Sequence, residues 1–479
     1  MPLWARATDV VAVIFAAAGL SVVAFGGFRV ALLGVVITAD DAIRPLAISV
    51  VLFVLRHLKR RTPSQAARIS RWIRAFVHAD SVRAIAPVFL WSRAGVLLVA
   101  ALSVSTFGLP GGVSFSVSPD ALTNLPARWD AGWYLGLAAD GYEYDPTIRG
   151  QQNVAFFPAF PTLMHAAGIF NGGHATAPTT RKERLVRLLW GGVVINLAAL
   201  AAALGYLFRM VRAISDRDTA LAAVCFALSY PTAFVYNVPY TEGLFLLASV
   251  ATFYHFGRGG LAAAAFWGTL AGLTRPTGFL LAIPLVAIAL ARSGPFPHLG
   301  PLMDRLNTAM QTPRSLRRDL AAAFTPIVGM LLFSAYLYAF WGDPFLWMRL
   351  HAAWGRTYQG LQPLVGSIET MTEGGLYGYA AQAGYELLQV LPFMLLVGLS
   401  VPIARRLGLA YTLLIVVTVI PPLLAGGWLS MARITVTLFP IYIILALVIP
   451  PTHRAGLIVL FALLQGLGAS LFFTWRPFY

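Results

Sequence analysis

The sequence predicts an all-α polytopic membrane protein with about thirteen spanning helices. Of its 479 residues, 58% are hydrophobic and 11% are charged, whereas soluble domains carry about 25% charged residues. Apolar stretches of roughly 20 residues, the length that crosses a bilayer as a helix, recur from one end of the chain to the other. These stretches are continuous and do not alternate with polar residues, which disfavours a membrane β-barrel.

The apolar segments account for most of the chain. Several are shorter than the roughly 20 residues that a perpendicular helix needs, so we expect tilted, interrupted or re-entrant helices there. Gly268 and Gly272 form a GxxxG motif, which predicts close helix packing. The predicted spans are 8–27, 41–57, 86–107, 187–209, 219–236, 240–256, 261–276, 278–292, 320–341, 384–403, 408–426, 433–450 and 455–474.

Basic residues concentrate in every second loop, and this pattern predicts the orientation. By the positive-inside rule these loops are cytoplasmic, which places the N-terminus inside and Tyr479 outside. The segment 68–77 reads as an amphipathic helix on the cytoplasmic leaflet or as a topology anchor. The segment after the second span holds the largest group: Arg56, Lys59, Arg60, Arg61, Arg68, Arg71, Arg74 and Arg83.

Charge and cysteine content narrow the functional classes. The formal charge of +16 would suit nucleic-acid binding, but the basic residues occupy loops, where they set topology and contact anionic headgroups. We therefore expect the bilayer, and no nucleic acid, as a partner. The single cysteine, Cys225, excludes an internal disulfide and offers no metal-ligand spacing. No cleavage site is evident after the apolar residues 10–24.

The outer loops contain most of the acidic residues, so we expect any chemistry to take place there. The longest of these loops spans residues 108–186, and another spans 342–383. Acids at the outer edge of a membrane are well placed to meet a substrate carried on a lipid. The acids of these two loops include Asp120, Asp130, Asp140, Glu143, Asp145, Asp343, Glu369 and Glu373.

Asp130 is the candidate catalytic residue of the first outer loop. Trp129, Trp133 and Leu137 recur at helical spacing around it, which predicts a short interfacial helix that Gly141 ends. Two interpretations are open from the residues alone. Asp130 is either a functional carboxylate or a helix-start acid that favours the helix dipole, with the tryptophans forming an interfacial belt.

Four further polar or kinked segments lie on the same predicted face. Residues 153–161 place two prolines among aromatics, which suits a groove for a prenyl chain or a sugar face, or a kinked entry to a re-entrant helix. Residues 236–242 form a polar hairpin that ends in Glu242, an acid at the start of a span. The turns 274–278 and 430–433 supply Arg275 and Arg433, which suit a phosphate; headgroup snorkelling is the alternative.

These motifs, taken in order along the chain, resemble bacterial PIG-V-like mannosyltransferases, which are related to the second mannosyltransferase of GPI-anchor synthesis. The resemblance covers about residues 86–450. Ile434 stands where the family would have a tyrosine, and the first two spans resemble an N-terminal addition. The matching motifs are residues 128–134, 155–161, 236–242, 273–278, 340–345, 430–433 and 438–440.

The resemblance implies a GT-C fold: a membrane glycosyltransferase that uses a lipid-phosphate sugar, with its site in the first outer loop. The family's acid maps onto Asp130. We therefore expect residues 1–85 to hold two spans and a basic segment, and 86–479 to form a GT-C-like catalytic domain with short interfacial helices. A bacterial protein of this kind would reside in the inner membrane, with its site on the periplasmic face.

Residues and resemblance together predict inverting transfer of a hexose, with mannose as the implied sugar, from a polyprenyl-phosphate donor to a lipid or glycan acceptor. Asp130 would be the general base. Arg433, Arg275 and, less favourably, Arg128 would bind the donor phosphate. The predicted substrate contacts are Trp129, Tyr134, Phe157, Pro158, Tyr240, Glu242 and Asp343.

Three alternatives stay open at this point. No cofactor is expected, but a divalent metal held by Asp130 with Asp140 or Glu242 would also suit the chemistry. A transporter or flippase of lipid-linked sugars would predict internal repeats and ionisable groups in mid-span. A non-catalytic membrane scaffold would leave the outer cluster of acids and arginines unexplained.

Overall fold

The computed structural model describes residues 3–25, 28–32, 35–39, 41–59, 79–112, 115–170, 180–293 and 316–476. The N-terminal part holds α1 (Leu3–Phe25), a strand pair β1 (Phe28–Leu32) and β2 (Val35–Ala39), and α2 (Ile43–Lys59). The strands lie between the first two predicted spans, 8–27 and 41–57. Val-Val-Ile-Thr-Ala in β2 is rich in β-branched residues, which favour an extended backbone. The strands pair antiparallel, Phe28 opposite Ala39.

The remaining described residues are almost entirely helical, which confirms the predicted all-α polytopic class. The helices are α3 (Asp80–Phe107), α4 (Ala131–Asp140), α5 (Ala159–Phe170), α6 (Arg181–Arg212), α7 (Arg217–Ser229), α8 (Glu242–Arg258), α9 (Leu261–Thr274), α10 (Ala282–Ser293), α11 (Leu316–Ala323), α12 (Thr325–Trp341), α13 (Leu346–Leu350), α14 (Gln362–Arg406), α15 (Leu409–Gly426), α16 (Met431–Thr435), α17 (Phe439–Val448) and α18 (Pro451–Phe473). Short 3-10 helices cover Asn153–Ala155, Ala233–Asn237, Pro276–Leu281 and His351–Trp354.

The count of thirteen spans is not confirmed, although every predicted segment overlaps a described helix. In the described part of the chain, five helical stretches are long and apolar enough to cross a membrane: α3, α6, residues 377–406 of α14, α15 and α18. A sixth span results if α11 and α12, bent by 42°, are taken together. Most of the other segments form helices of 17 residues or fewer, too short to cross a bilayer upright.

The predicted outer loop 342–383 contains more helix than the sequence suggested. Within α14, Gly375 has φ +63° and Ala383 also leaves helical geometry. Ser367 Oγ donates to Glu386 Oε1 at 2.7 Å, although a straight helix would place residues 19 apart at roughly 28 Å. The chain therefore doubles back near Gly375, and 362–374 packs against the span that follows. The predicted basic helix 68–77 lies outside the described residues.

The buried centre of the bundle is α8, and glycines let its neighbours approach closely. Asn196 of α6 contacts Gly243, where an added Cβ would lie 2.2 Å from Asn196 Oδ1. On the opposite side, α9 packs against α12 as the GxxxG motif predicted. A Cβ on Gly272 would lie 1.9 Å from the carbonyl oxygen of Pro326. This packing fixes the ends of α8 and α9, from which the site is built.

Buried side chains hold the unwound segment between α7 and α8. Arg93 of α3 donates to the carbonyl oxygens of Ala233 at 2.7 Å and Leu228 at 2.6 Å. Asn196 donates to three more carbonyls, including that of Val238 at 2.8 Å. Unwound backbone in an apolar bundle needs such partners because no water is available to it. The hairpin that carries Glu242 is thereby held in one position.

Candidate active site

A cavity of about 1030 Å³ opens where the first outer loop meets the breaks after α9, α13 and α15. Its charged lining residues are Asp130, Arg275, Arg356 and Arg433. All four lie in segments that the sequence placed on one face, and Asp130, Arg275 and Arg433 were candidate site residues. The structure therefore brings the Asp130 loop, the Arg275 turn and the Arg433 turn to a single space.

The carboxylate of Asp130 is held by an arginine and does not cap its helix. Asp130 is the N-cap residue of α4, but its side chain makes no capping hydrogen bond. Arg433 Nη1 donates to its Oδ2 at 2.6 Å. Within the described residues, Oδ1 accepts no hydrogen bond. The geometry therefore favours a functional carboxylate over a helix-start acid, because Asp130 contacts Arg433 and makes no capping hydrogen bond.

The backbone around Asp130 is fixed by Tyr240 and includes an unfavourable conformation. The Asp130 amide donates to Tyr240 Oη at 3.1 Å, and that hydroxyl donates to the carbonyl of Arg128 at 3.0 Å. Trp129, just before the helix, has φ +48°. A non-glycine residue in this region costs about 1–3 kcal/mol and persists only where the surroundings enforce it. Such positions cluster at functional sites.

Glu242 connects two of the cavity arginines from behind the cavity wall. Its side chain is only 1% exposed, and its Oε1 lies 3.0 Å from Arg433 Nε and 3.1 Å from Arg275 Nη1. Arg433 therefore reaches two carboxylates with two different nitrogens, and its guanidinium lies 5.0 Å from the centre of the Tyr240 ring. A buried carboxylate between two arginines fixes both guanidinium groups.

Arg356 is a site residue that the sequence analysis missed. It lies in the loop after the 3-10 helix His351–Trp354, and its guanidinium lines the cavity. Burial, and then the charges of Arg433 and Arg275, lower the pKa of Arg356 to about 10, so it is charged at neutral pH. With Glu242 counted, the site holds three arginines and two carboxylates, a surplus of one positive charge.

Aromatic side chains form one wall of the cavity. The rings of Trp133 and Phe156 stack with centroids 5.8 Å apart. Trp354 contacts both, each at 5.5 Å. A second pair, Trp129 and Trp475, lies 4.7 Å apart at the rim. Amphipathic aromatic faces of this kind bind apolar surfaces and sugar rings while tolerating water.

The opposite wall is apolar and includes the end of α15. Its residues are small or aliphatic, and two adjacent prolines inside α15 prevent a regular ladder there. These apolar side chains suit contact with a hydrocarbon chain. The residues that contribute to it are Pro421, Pro422, Ala425, Leu429 and Ile434.

The remaining predicted contacts divide between the cavity and other places. Trp129, Tyr134, Phe157 and Tyr240 line the cavity, and Glu242 lies directly behind it. The other three, Arg128, Pro158 and Asp343, are not among the lining residues.

Two of the residues outside the lining have other partners. Arg128 is fully buried and donates to the carbonyls of Phe473, Asn124 and Ala127. Asp343 forms an ion pair with Arg349. These contacts indicate that Arg128 anchors the loop and that Asp343 shapes its own turn.

The metal alternative rests on Asp130 with Asp140 or Glu242. Asp140 forms an ion pair with Arg181 at 2.6 Å. The guanidinium of Arg433 contacts both Asp130 and Glu242, so it already occupies the position between these two carboxylates. In the described ranges, no group of three or more His, Cys, Asp or Glu side chains is arranged to hold a metal ion.

The two sequence comparisons with known proteins agree on one family. The sequence model of the family described as Mannosyltransferase (PIG-V) matches residues 90–342. Two relatives described as GPI mannosyltransferase 2, from two strains of Cryptococcus neoformans var. neoformans serotype D, are each 31% identical over 181 residues. The match covers 36% of this chain and 40% of theirs, so the chain spans about two fifths of these curated relatives.

The matches among solved structures include the oligosaccharyltransferase of Archaeoglobus fulgidus tethered with an acceptor peptide. It is 14% identical with a TM-score of 0.39, covering 81% of this chain and 55% of that one. The family match is the stronger finding, because it includes the segments of Asp130, Glu242 and Arg275. Since it extends over more than half of the 479 residues, this chain belongs to the PIG-V mannosyltransferase family.

Proposed function

We propose that this protein transfers a mannose from a polyprenyl-phosphate donor to an acceptor hydroxyl at the outer membrane face, with inversion at the anomeric carbon. The observation that carries the proposal is Asp130: one carboxylate oxygen is held by Arg433, and the other is available at a cavity that combines aromatic, apolar and cationic walls. The proposed catalytic domain is a GT-C-like membrane bundle over residues 86–479.

The proposed reaction is a single displacement. Asp130 Oδ1 accepts the proton of the acceptor hydroxyl while that oxygen forms a bond to the anomeric carbon. The bond from the anomeric carbon to the phosphate oxygen breaks, and its electron pair leaves with the phosphate. The products are the mannosylated acceptor, protonated Asp130 and a polyprenyl phosphate with one additional negative charge. A nearby arginine would stabilise the phosphate as this charge develops.

The placement of the second carboxylate favours inversion over retention. A retaining enzyme needs a carboxylate nucleophile close to the anomeric carbon in addition to the acid/base group. Glu242 is the nearest other carboxylate among the described residues of the site, but it is almost fully buried and faces Arg275 and Arg433. A group enclosed in this way is poorly placed to attack a sugar. Asp130 then acts alone as the base.

The cavity walls suit the two parts of the proposed donor. The ring cluster of Trp133, Phe156 and Trp354 offers surfaces for the sugar. The proline-rich wall at the end of α15 would take the first isoprene units. The proposed location is the inner membrane, with the N-terminus cytoplasmic and the site outside. The acceptor would be a lipid or glycan hydroxyl that enters from the outer side.

The test is transfer by purified protein reconstituted in liposomes, with radiolabelled polyprenyl-phosphate-mannose as the donor and identification of the product. Asp130→Asn should lower the transfer rate by about 10²-fold or more, the scale of a missing general base. Asp120→Asn is the matched control, because Asp120 is exposed in the same loop and caps its own turn.

Normal transfer by folded Asp130→Asn protein would exclude Asp130 as the base. A wild-type protein that moves labelled donor across the bilayer without forming product would instead support a flippase. Absence of both activities across a panel of hydroxylated lipid and glycan acceptors would support a scaffold.

A further inference from the structure

Arg356 differs from the other two cavity arginines because it has no carboxylate partner among the described residues. Arg433 is paired with Asp130 and Glu242, and Arg275 is paired with Glu242. The guanidinium of Arg356 makes no hydrogen bond in the described ranges, and its Nη1 is buried without a partner. The surplus positive charge of the site is therefore located on Arg356.

The loop around Arg356 is held in place by backbone contacts. The amide of Arg356 donates to the carbonyl of His351 at 3.2 Å, and Gly355 has φ +73°, a conformation that favours glycine. Gln359 donates its amide to the carbonyl of Leu424 in α15 at 2.7 Å. These contacts fix the start of the side chain on both sides, so the guanidinium does not depend on an ion pair for its position.

Gly426, near the C-terminal end of α15, makes room for the Arg356 side chain. A Cβ on Gly426 would lie 3.0 Å from Arg356 Cδ and 3.1 Å from Nη1, closer than ordinary van der Waals contact. The arginine thus packs directly on helix backbone at the edge of the cavity. An alanine at this position would displace the guanidinium by a few tenths of an ångström without changing any charge.

We propose that Arg356 binds the phosphate of the donor lipid, whereas Arg433 orients Asp130. This inference rests on the proposed function and adds a phosphate-binding residue from the predicted outer loop 342–383. An unpaired guanidinium beside an apolar wall can donate to phosphate oxygens at no cost in broken ion pairs. Phosphate binding by Arg433 would require it to break its ion pair with Asp130 or with Glu242.

The test measures binding and does not depend on sugar transfer. Purified wild-type protein and Arg356→Gln are titrated with farnesyl phosphate, a short polyprenyl phosphate, and with farnesol, which has the same chain without the charge. Arg356→Gln should weaken farnesyl phosphate binding on the order of 10-fold or more and leave farnesol binding unchanged. Arg356→Lys should weaken farnesyl phosphate binding less than Arg356→Gln, because lysine keeps the positive charge but lacks the paired N–H donors of the guanidinium.

Two further variants separate charge from packing. Arg149→Gln removes an exposed arginine of the first outer loop and should leave both affinities as in the wild type. Gly426→Ala keeps every charge but shifts Arg356, and it should weaken farnesyl phosphate binding by a smaller factor than Arg356→Gln.

The inference is overturned if Arg356→Gln binds farnesyl phosphate like the wild type, or if it weakens farnesol binding equally. If wild-type protein binds farnesyl phosphate no more tightly than farnesol, the donor proposed for this enzyme is overturned as well. Wild-type protein that transfers mannose while Arg356→Gln keeps full phosphate affinity would overturn this inference alone.

Discussion

If Arg433 acts by holding Asp130, removing either residue must damage the same step. The perturbations are Asp130→Asn, Arg433→Ala and the double variant. Arg433 Nη1 lies 2.6 Å from Asp130 Oδ2 and is the hydrogen-bond donor to that oxygen among the described residues. Arg433→Ala leaves Asp130 in place but free to rotate, and it leaves Glu242 with Arg275 as its remaining partner.

The magnitude follows from that single contact. A hydrogen bond to a charged group contributes about 1.5–3 kcal/mol, and each 1.4 kcal/mol is tenfold. Arg433→Ala should therefore lower the transfer rate roughly 10- to 10²-fold. Asp130→Asn should lower it about 10²-fold or more. Independent roles would multiply these factors, whereas a shared role predicts a double variant no slower than Asp130→Asn alone.

Arg433→Lys gives a second measure of the same contact. Arginine reaches Asp130 with Nη1 and Glu242 with Nε, but a lysine ammonium reaches only one carboxylate at a time. The transfer rate of the lysine variant should therefore lie between those of the wild type and Arg433→Ala. If Arg433 merely met lipid headgroups, lysine would be fully tolerated and alanine would affect stability only.

The assay is single-turnover transfer from radiolabelled donor in proteoliposomes, with thermal unfolding of each purified variant as the folding control. Single-turnover rates separate the chemical step from donor binding and product release. A double variant slowed by the product of the two single effects would refute the positioning role of Arg433. Such a result would favour direct contact between Arg433 and the donor phosphate.

Three further outcomes are expected. Glu242→Gln should lower stability by about 2–3 kcal/mol, below the 3–5 kcal/mol of a fully buried pair because its arginines are partly exposed; unchanged unfolding would contradict the ion pairs. Asn196→Ala should cost about 3 kcal/mol or more, since the Tyr236 carbonyl and the Gly243 amide lose their hydrogen-bond partner and the carbonyls of Val235 and Val238 lose one of two; wild-type stability would show that this hairpin needs no such support. Asp120→Cys in a Cys225→Ser background should react with an impermeant thiol reagent on intact cells, and labelling only after permeabilisation would place the site inside.

Topology allowed the sequence to group the site residues, but it could not pair them. Alternating spans force loops of the same parity to one face, so Asp130, Glu242, Arg275 and Arg433 could be placed together from hydropathy and charge alone. Asp130 and Arg433 are 303 residues apart, and no local pattern states which acid meets which arginine. The pairing depends on how the helices pack, and the boundaries of the predicted spans do not determine that packing.

The role of Arg356 and the reversal of the chain within α14 were not predicted, because both depend on tertiary contacts. Arg356 lies in an outer loop where a single arginine has no periodicity or motif around it, and its role depends on the absence of a partner. The segment 362–374 was assigned to a loop because Glu369 and Glu373 interrupt its apolar character. Its position is supported by contacts across the break at Gly375, such as the hydrogen bond from Ser367 Oγ to Glu386 Oε1 at 2.7 Å.

Once the proposed donor is bound, the charges of the site would stay balanced throughout the proposed reaction. The three arginines and two carboxylates of the site give a surplus of one positive charge. A polyprenyl-phosphate sugar is a phosphodiester with one negative charge, so its binding would bring the total to zero. During transfer Asp130 would lose its charge by accepting a proton, while the departing phosphate would gain one, reaching about −1.5 to −2. The negative charge would move from Asp130 to the phosphate near Arg356, and the total would stay close to zero. A low-dielectric site favours this path, because an uncompensated charge at any stage would be costly.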